Sequence, residues 1–181
     1  GYVCALVSVS PNECPFHEPL RIYAKVASEL ALHPIGDLDE PVRGIAEAIR
    51  EFVDRQQAIW GEEQLREWIA RTLPRMPMER ISLRKAAQAL MLAHLDDRQA
   101  DCGVLESWLV AEEGVRPQDV RHLGLFEVPS KDSATALLRS LVQLVRHLDH
   151  KGTVLLFDEA EKTLSISGSV RQRDTTLNNL R

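Results

Sequence analysis

Two adjacent carboxylates close an apolar run near the end of the chain, in Gly152-Thr153-Val154-Leu155-Leu156-Phe157-Asp158-Glu159-Ala160-Glu161. Thr153 to Phe157 suit a buried parallel strand, which reads as a continuous apolar run rather than an alternating one. Acids placed where such a strand ends reach the crevice beyond the carboxyl edge of the sheet, where α/β proteins bind ligands. One acid can then hold Mg²⁺, directly or through water, and the next can polarise a water for attack on a phosphate. That is the layout of a Walker B segment. The plainer reading is a buried strand ending in a solvated acidic turn, and the string alone does not separate the two.

The elements that must position these acids follow from the patterning. Tyr2 to Val9 is apolar and β-branched, is closed by Ser10-Pro11-Asn12, and reads as a buried strand. After a loop containing Pro11, Pro15 and Pro19, the residues Leu20, Tyr23, Ala24, Ala27, Leu30 and Ala31 recur at helical spacing until His33-Pro34. From 35 to 126 the patterning is helical throughout. One stripe is Val42, Ile45, Ile49, Phe52 and Val53, with Pro41 at the first helical position. A second is Leu65, Trp68 and Ile69, broken by Pro74 and Pro77. A third runs from an N-cap at Ser82 through Ala86, Ala87, Leu90, Met91 and Leu95. A fourth holds Val104, Leu105, Trp108 and Leu109 and stops at Gly114, and Pro117 opens a short fifth ending near Leu123-Gly124. No run in this region reads as a strand. Leu137, Leu138, Leu141, Leu144, Val145 and Leu148 then form a helix started by Ser130 or Asp132, and a last helical segment begins near Val170.

Strands joined by helical crossovers call for a parallel sheet. The expected division is an α/β core over 1–34, an all-helical insertion over 35–126, and a second part of the core over 127–181 carrying the acidic strand.

At 181 residues the chain has room for one sizeable domain, and its 44% hydrophobic and 27% charged shares are those of a globular protein. A net charge of −5 gives no overall attraction to nucleic acid. Three cysteines, Cys4, Cys14 and Cys102, lack CxxC spacing and read as reduced thiols of a cytoplasmic protein. No apolar run is long enough to span a bilayer. The sequence opens on Gly1-Tyr2-Val3 without Met and stops within a helical stretch, so it reads as a piece of a longer chain.

A phosphate-gripping G-x-x-x-x-G-K-[ST] loop would normally accompany the acids, and it is absent: none of Lys25, Lys85, Lys131, Lys151 and Lys162 follows a glycine. The expectation is that this loop precedes Gly1. Other candidates weigh less. His147 and His150 flank Asp149 near a helix end without further ligands at zinc spacing, which favours a structural role. Trp68 and Trp108 lie on apolar stripes and read as core. The basic stretch Arg66 to Lys85 is interrupted by Glu67 and Glu79.

Several blocks now make one pattern: Gly1-Tyr2-Val3 opening a strand, Cys14-Pro15-Phe16-His17 before the Leu20–Tyr23 helix, Leu123-Gly124-Leu125, Leu137 to Leu141, and Lys151 to Glu161. It resembles the ATP-binding P-loop proteins of bacteriophage-exclusion (BREX) defence systems, which look like relatives of AAA+ and signal-transducing ATPases. The resemblance covers nearly the whole chain. It is strongest from Leu123 to Arg181 and weakest from Ile35 to Gly114, and only the acidic block is specific by itself. It implies a partial P-loop NTPase (AAA+-like) parallel-sheet core with a large helical insertion, and ATP and Mg²⁺ as cofactors. Asp158 would be the metal-side acid and Glu159 the catalytic base, with no role assigned to Glu161. Arg171 and Arg173, with Arg181, are candidates for an arginine finger, against the general rule that such residues are solvated surface charges. The nucleotide-gripping residues are not in this sequence. The implied role is ATP hydrolysis driving a conformational change in a defence assembly, with a second copy or other defence proteins as partners and DNA as a further candidate. The rival expectation is a non-catalytic helical adaptor on an α/β scaffold.

Overall fold

The computed structural model describes residues 1–9, 14–32 and 42–158. The acids Glu159 and Glu161, the arginines Arg171, Arg173 and Arg181, the helix expected near Val170, and Pro41 lie outside the described residues.

The fold is α/β. Four strands, β1 (Tyr2–Ser8), β2 (Leu30–Leu32), β3 (Val42–Arg43) and β4 (Gly152–Asp158), form one sheet in the order β3-β2-β1-β4. β1 and β4 are parallel over their whole length, from Tyr2 opposite Gly152 to Ser8 opposite Asp158. The ladder continues past both ends: Lys151 N donates to Gly1 O at 2.8 Å, and Val9 N donates to Asp158 O at 2.9 Å.

The sheet is mixed, which corrects the parallel expectation, because β2 is antiparallel to β1 and to β3. Helix α1 (Pro19–Glu29) runs straight into β2 without a turn, so the chain does not reverse again before pairing. Leu30 and Ala31, expected as helix, are therefore strand. β3 is likewise a strand within the stretch expected to be all helical, and the following helix α2 (Ile45–Trp60) starts after it. Gly44 makes that corner at φ 91°, and its N–H bonds Leu30 O at 2.8 Å.

Burial also departs from expectation. Along β1, Val3, Ala5 and Val7 are fully buried while Tyr2 and Leu6 are 59% and 58% exposed, and along β4 Leu156 is 54% exposed. Helices α1 and α7 (Ala134–His147) pack on each other and on one face of the pair, the face of Val3, Ala5, Val7, Leu155 and Phe157. The continuous apolar runs thus alternate in burial, and the second face carries Tyr2, Leu6, Val154 and Leu156 exposed.

Between β3 and α7 lie α3 (Glu62–Glu67), α4 (Ile81–Leu95), α5 (Gln99–Leu109) and the short α6 (Pro117–Val120). Their apolar stripes meet those of α2 and α7 in one contiguous core, with Ile49, Phe52, Leu65, Leu90, Leu105, Trp108 and Leu141 all buried. Polar links tie the helical region to the α/β elements. Tyr23 Oη donates to Leu109 O at 2.7 Å, Trp108 Nε1 to Glu127 O at 2.8 Å, and Arg80 N to Ser140 Oγ at 2.7 Å. After α3 the chain makes a π-helical turn, Trp68–Thr72, then a 3₁₀ turn, Leu73–Arg75. Pro74 has no N–H to give Ile69 O, and Gln88 Nε2 supplies the missing bond at 3.0 Å.

Helix boundaries depart from the expected caps in the same way at several places. α4 begins at Ile81, so Ser82 lies inside it rather than capping it. α4 and α5 both end in six-residue loops that glycine usually closes. Arg98 N bonds Ala93 O with Asp97 at φ 53°, and Glu112 N bonds Ser107 O with Ala111 at φ 53°. α5 therefore stops before Gly114.

The turn from α7 into β4 is held by α2. Arg55 Nη2 donates to Leu148 O at 3.3 Å and Gln56 Nε2 to Asp149 Oδ2 at 2.9 Å, with Asp149 at φ 67°. His150 is half-buried here, and burial, reinforced by the Arg55 charge, holds its imidazole pKa below the usual value.

Two outcomes follow for stability. Ala111→Gly relieves a left-handed backbone strain and raises the unfolding free energy by about 1 kcal/mol, read as a higher urea midpoint at unchanged slope. For His150, the unfolded chain takes up a proton as pH falls through about 6.5 while the folded one resists it. Wild-type protein therefore loses stability as pH falls from about 7.5 to about 5.5, by at most about 1.4 kcal/mol per unit from this one group. His150→Asn flattens that part of a denaturation-midpoint-against-pH curve.

Candidate functional site

The strand-end acid is where the parallel pair places it. Asp158 is the last residue of β4, opposite Ser8, at the end of the sheet where both strands finish. Strand alternation puts it on the face of Val154 and Leu156, with its side chain exposed, and puts Phe157 on the helix-covered face. Its backbone carbonyl is fixed by Val9 N at 2.9 Å. The carboxylate thus sits at the carboxyl end of the sheet on a backbone bonded to the β1 side.

The segment 14–18 lies at the same end. A turn closed by Glu18 N donating to Pro15 O at 3.0 Å leads directly into α1, whose start is set by Pro19. Phe16 is 3% exposed and packs on Phe157, ring centroids 5.3 Å apart and tilted by 52°. Next to it, His17 Nε2 lies 3.9 Å from Glu18 Oε1, and Glu18 also pairs with Arg21 at 2.8 Å. Cys14 is buried in this segment, and burial pushes its thiol pKa up against the lowering effect of Lys25 and Arg21. A raised thiol pKa means less thiolate near neutral pH, which argues against a nucleophilic role.

The 14–18 loop meets the end of β4 through Phe16 on Phe157, the residue before Asp158. The contact of Phe16 with Phe157 is the part that sequence did not show, because two aromatics so far apart in the chain meet only through the parallel register.

Among the described residues no group of three or more His, Cys, Asp or Glu side chains converges as a metal cage. One strand-end carboxylate nevertheless suits Mg²⁺, which keeps several waters and binds through one or two carboxylates plus substrate phosphates. Asp158 fits that donor role. The histidine pair is structural: His147 Nε2 contacts Pro77 O at 3.3 Å, and Asp149 between them accepts from Gln56. Trp108 is core and Trp68 stacks between Phe52 and Trp60, at 5.3 and 6.0 Å.

Several cations of the basic stretch are engaged within the fold. Arg66 bonds Glu62 and Asp96, Arg71 bonds Glu67, Arg80 bonds Glu127, and Arg84 donates to Met76 O. Lys85 sits 5.9 Å from the centre of the Phe126 ring.

No helix among the described residues is long and apolar enough to cross a membrane. No curated protein and no solved structure matches the chain. A family model, that of the BREX system ATP-binding protein BrxC/D, matches residues 1–181. The match spans the sequence from its first strand through the strand-end acids, and the chain belongs to this family of BREX system ATP-binding proteins.

Proposed function

We propose that this chain is the central piece of a P-loop ATPase of the AAA+-like kind, and that the whole protein binds ATP·Mg²⁺ and hydrolyses it within a phage-defence assembly. The observation that carries the reading is the position of Asp158 at the carboxyl end of a strand paired in parallel with β1. That is the edge at which α/β sheets bind ligands. Membership of an ATP-binding family supports the nucleotide.

In this reading Asp158 holds the metal side of the nucleotide. Glu159, the next residue, takes the role of general base and orients the attacking water. When bound, Mg²⁺ neutralises charge on the phosphates and supplies Lewis-acid polarisation. The apolar β4 strand keeps the backbone behind the acids rigid, so that the carboxylate is presented without reorganisation. Residues that grip the β- and γ-phosphates are assigned to the whole protein outside 1–181, since the sequence holds no G-x-x-x-x-G-K-[ST]. Arg171 and Arg173 are proposed to approach the phosphates of a neighbouring copy, and further copies or other defence proteins are the proposed partners. The conformational output, and any contact with DNA, rest on family membership alone.

The test uses the full-length protein that carries this chain. Glu159→Gln retains ATP binding while turnover falls about 10²–10⁴-fold, the range expected for loss of a general base. Asp158→Asn removes the strengthening of ATP binding by Mg²⁺, measured by titration calorimetry with and without EDTA. Unchanged turnover in the first variant removes the base assignment, and unchanged Mg²⁺ dependence in the second removes the metal assignment.

A further inference from the structure

Helix α4 and the segment that follows Gly124 bring two large apolar side chains to the surface together. Phe126 is 67% exposed, and Ile81, the first residue of α4, is 56% exposed. Two contacts join their neighbours. Arg80, just before Ile81, pairs with Glu127, just after Phe126, at 2.6 Å. Lys85, one turn along α4 from Ile81 and on the same face, has its Nζ 5.9 Å from the centre of the Phe126 ring. The two apolar groups therefore share one surface, with Arg80, Glu127 and Lys85 around them.

The backbone that displays Phe126 is fixed on both sides. Leu125 is buried behind it, and its N–H bonds Val120 O at 3.3 Å after the left-handed turn at Gly124. Glu127 O accepts from Trp108 Nε1 at 2.8 Å, and Trp108 is itself core. Arg80 N donates to Ser140 Oγ at 2.7 Å, which fixes the start of α4, and so Ile81, against α7. The ring is thus held in place while most of it stays in water. A single exposed apolar residue needs no explanation. An aromatic and an aliphatic anchor held together inside a polar rim have the anatomy of an interface core.

Charge decides what kind of partner fits. Arg80 is matched by Glu127, but Arg84 donates to the Met76 carbonyl at 2.8 Å and Lys85 faces the Phe126 ring. Neither Arg84 nor Lys85 has a carboxylate partner among the described residues, and α4 has no acid in its first turn. The patch is therefore apolar at its centre and positive on the α4 side. A polypeptide with apolar side chains beside carboxylates complements both properties. A nucleic-acid strand suits it less, because Ile81 is aliphatic and offers no stacking ring, and Glu127 repels phosphate.

We infer that Phe126 and Ile81, with Arg84 and Lys85 beside them, dock an acidic, apolar segment of a partner protein. The surface lies on other elements than the strand-end acids, so it stands whether or not Asp158 binds metal.

The experiment titrates the full-length protein into a fluorescein-labelled amphipathic peptide of Leu, Phe, Glu and Ala, read by fluorescence anisotropy. The wild-type protein binds it, and binds a version with every Glu replaced by Lys at least about tenfold more weakly. Phe126→Ser weakens binding of the acidic peptide about 30-fold, the loss of an interface hot spot. Lys85→Glu weakens it about fivefold and lowers its dependence on salt. That variant puts an acid in the first turn of α4, which the helix dipole favours, so its lost affinity is not lost folding. Ile59→Ser removes an equally exposed apolar side chain from α2 and leaves binding unchanged. A wild-type protein that does not bind the acidic peptide overturns the inference. So does binding that survives both Phe126→Ser and Lys85→Glu, or that weakens equally in Ile59→Ser. Two further readouts name the other occupants, and each overturns the peptide assignment. Labelled oligothymidylate that binds more tightly than the peptide and is lost in Phe126→Ser makes the surface a nucleic-acid platform. Self-association of the wild-type protein that Phe126→Ser abolishes makes it a contact between copies.

Discussion

The parallel pairing of β1 with β4 is the constraint on which the rest of the structure depends. It joins the first strand of the chain to the last described one, with Tyr2 opposite Gly152 and Ser8 opposite Asp158. A parallel pair cannot be closed by a hairpin, so everything between must form the crossover. Here that crossover takes in nearly all of the described residues. The long closure is entropically costly only logarithmically in its length, whereas the apolar contacts it creates grow with the area covered. Val3, Ala5 and Val7, lined up with Thr153, Leu155 and Phe157, present one face for α1 and α7 to cover. The same pairing sets two strand ends side by side and so defines the edge where Asp158 emerges.

The helices between the strands do more than fill the crossover. α2 reaches the turn that launches β4, through Arg55 to the Leu148 carbonyl and Gln56 to Asp149. α5 accepts the Tyr23 hydroxyl at its last carbonyl, and α7 receives Arg80 N on Ser140. Tyr23 is fully buried, and burial holds its phenol well above the usual pKa, so the hydroxyl stays a neutral donor in that bond. A buried carbonyl that lost this partner would carry its desolvation cost unmet. The helical region and the sheet therefore share one core and a set of directional links, and a displacement of α2 has a direct route to the start of the acid-bearing strand.

What the sequence made legible divides along physical lines. Periodic burial was readable wherever one stripe faces one core: α7 from Leu137 to Leu148, α4 through Leu90 and Met91, and α5 around Trp108 lie where their apolar spacing puts them. The short helix from Pro117 to the left-handed Gly124 was readable from its end signals alone. Features decided by distant partners were not. Leu30 and Ala31 continue the spacing of α1, yet their backbone is taken by β1. Ser82 has the chemistry of a cap, but the helix reaches back to Ile81. Asp97, Ala111 and Asp149 occupy left-handed positions without being glycine, so those ends carried no local signal. At the end of β4, the position of Asp158 was legible because an apolar run stops there, while the contact of Phe16 with Phe157 was not, because it is set by register.

Among the described residues, α1 and α7 cover one face of the β1–β4 pair, and β4 alternates with respect to that face. Alternation places Phe157, Leu155 and the buried residues of β1 on the face that α1 and α7 hold rigid. It places Asp158 on the other face, beyond Val154 and Leu156 and beside the face of Leu6 and Tyr2. Packing and exposure are thus assigned to opposite sides of a single strand. A carboxylate on the covered side would have been desolvated against apolar helices, its pKa raised and its charge lost to metal binding. On the open side its side chain is exposed. The adjoining apolar surface has the character that ligand sites use to exclude water around a few placed polar groups. The acid is therefore held by the packed face and displayed by the open one, and both properties follow from the two-residue period of β4.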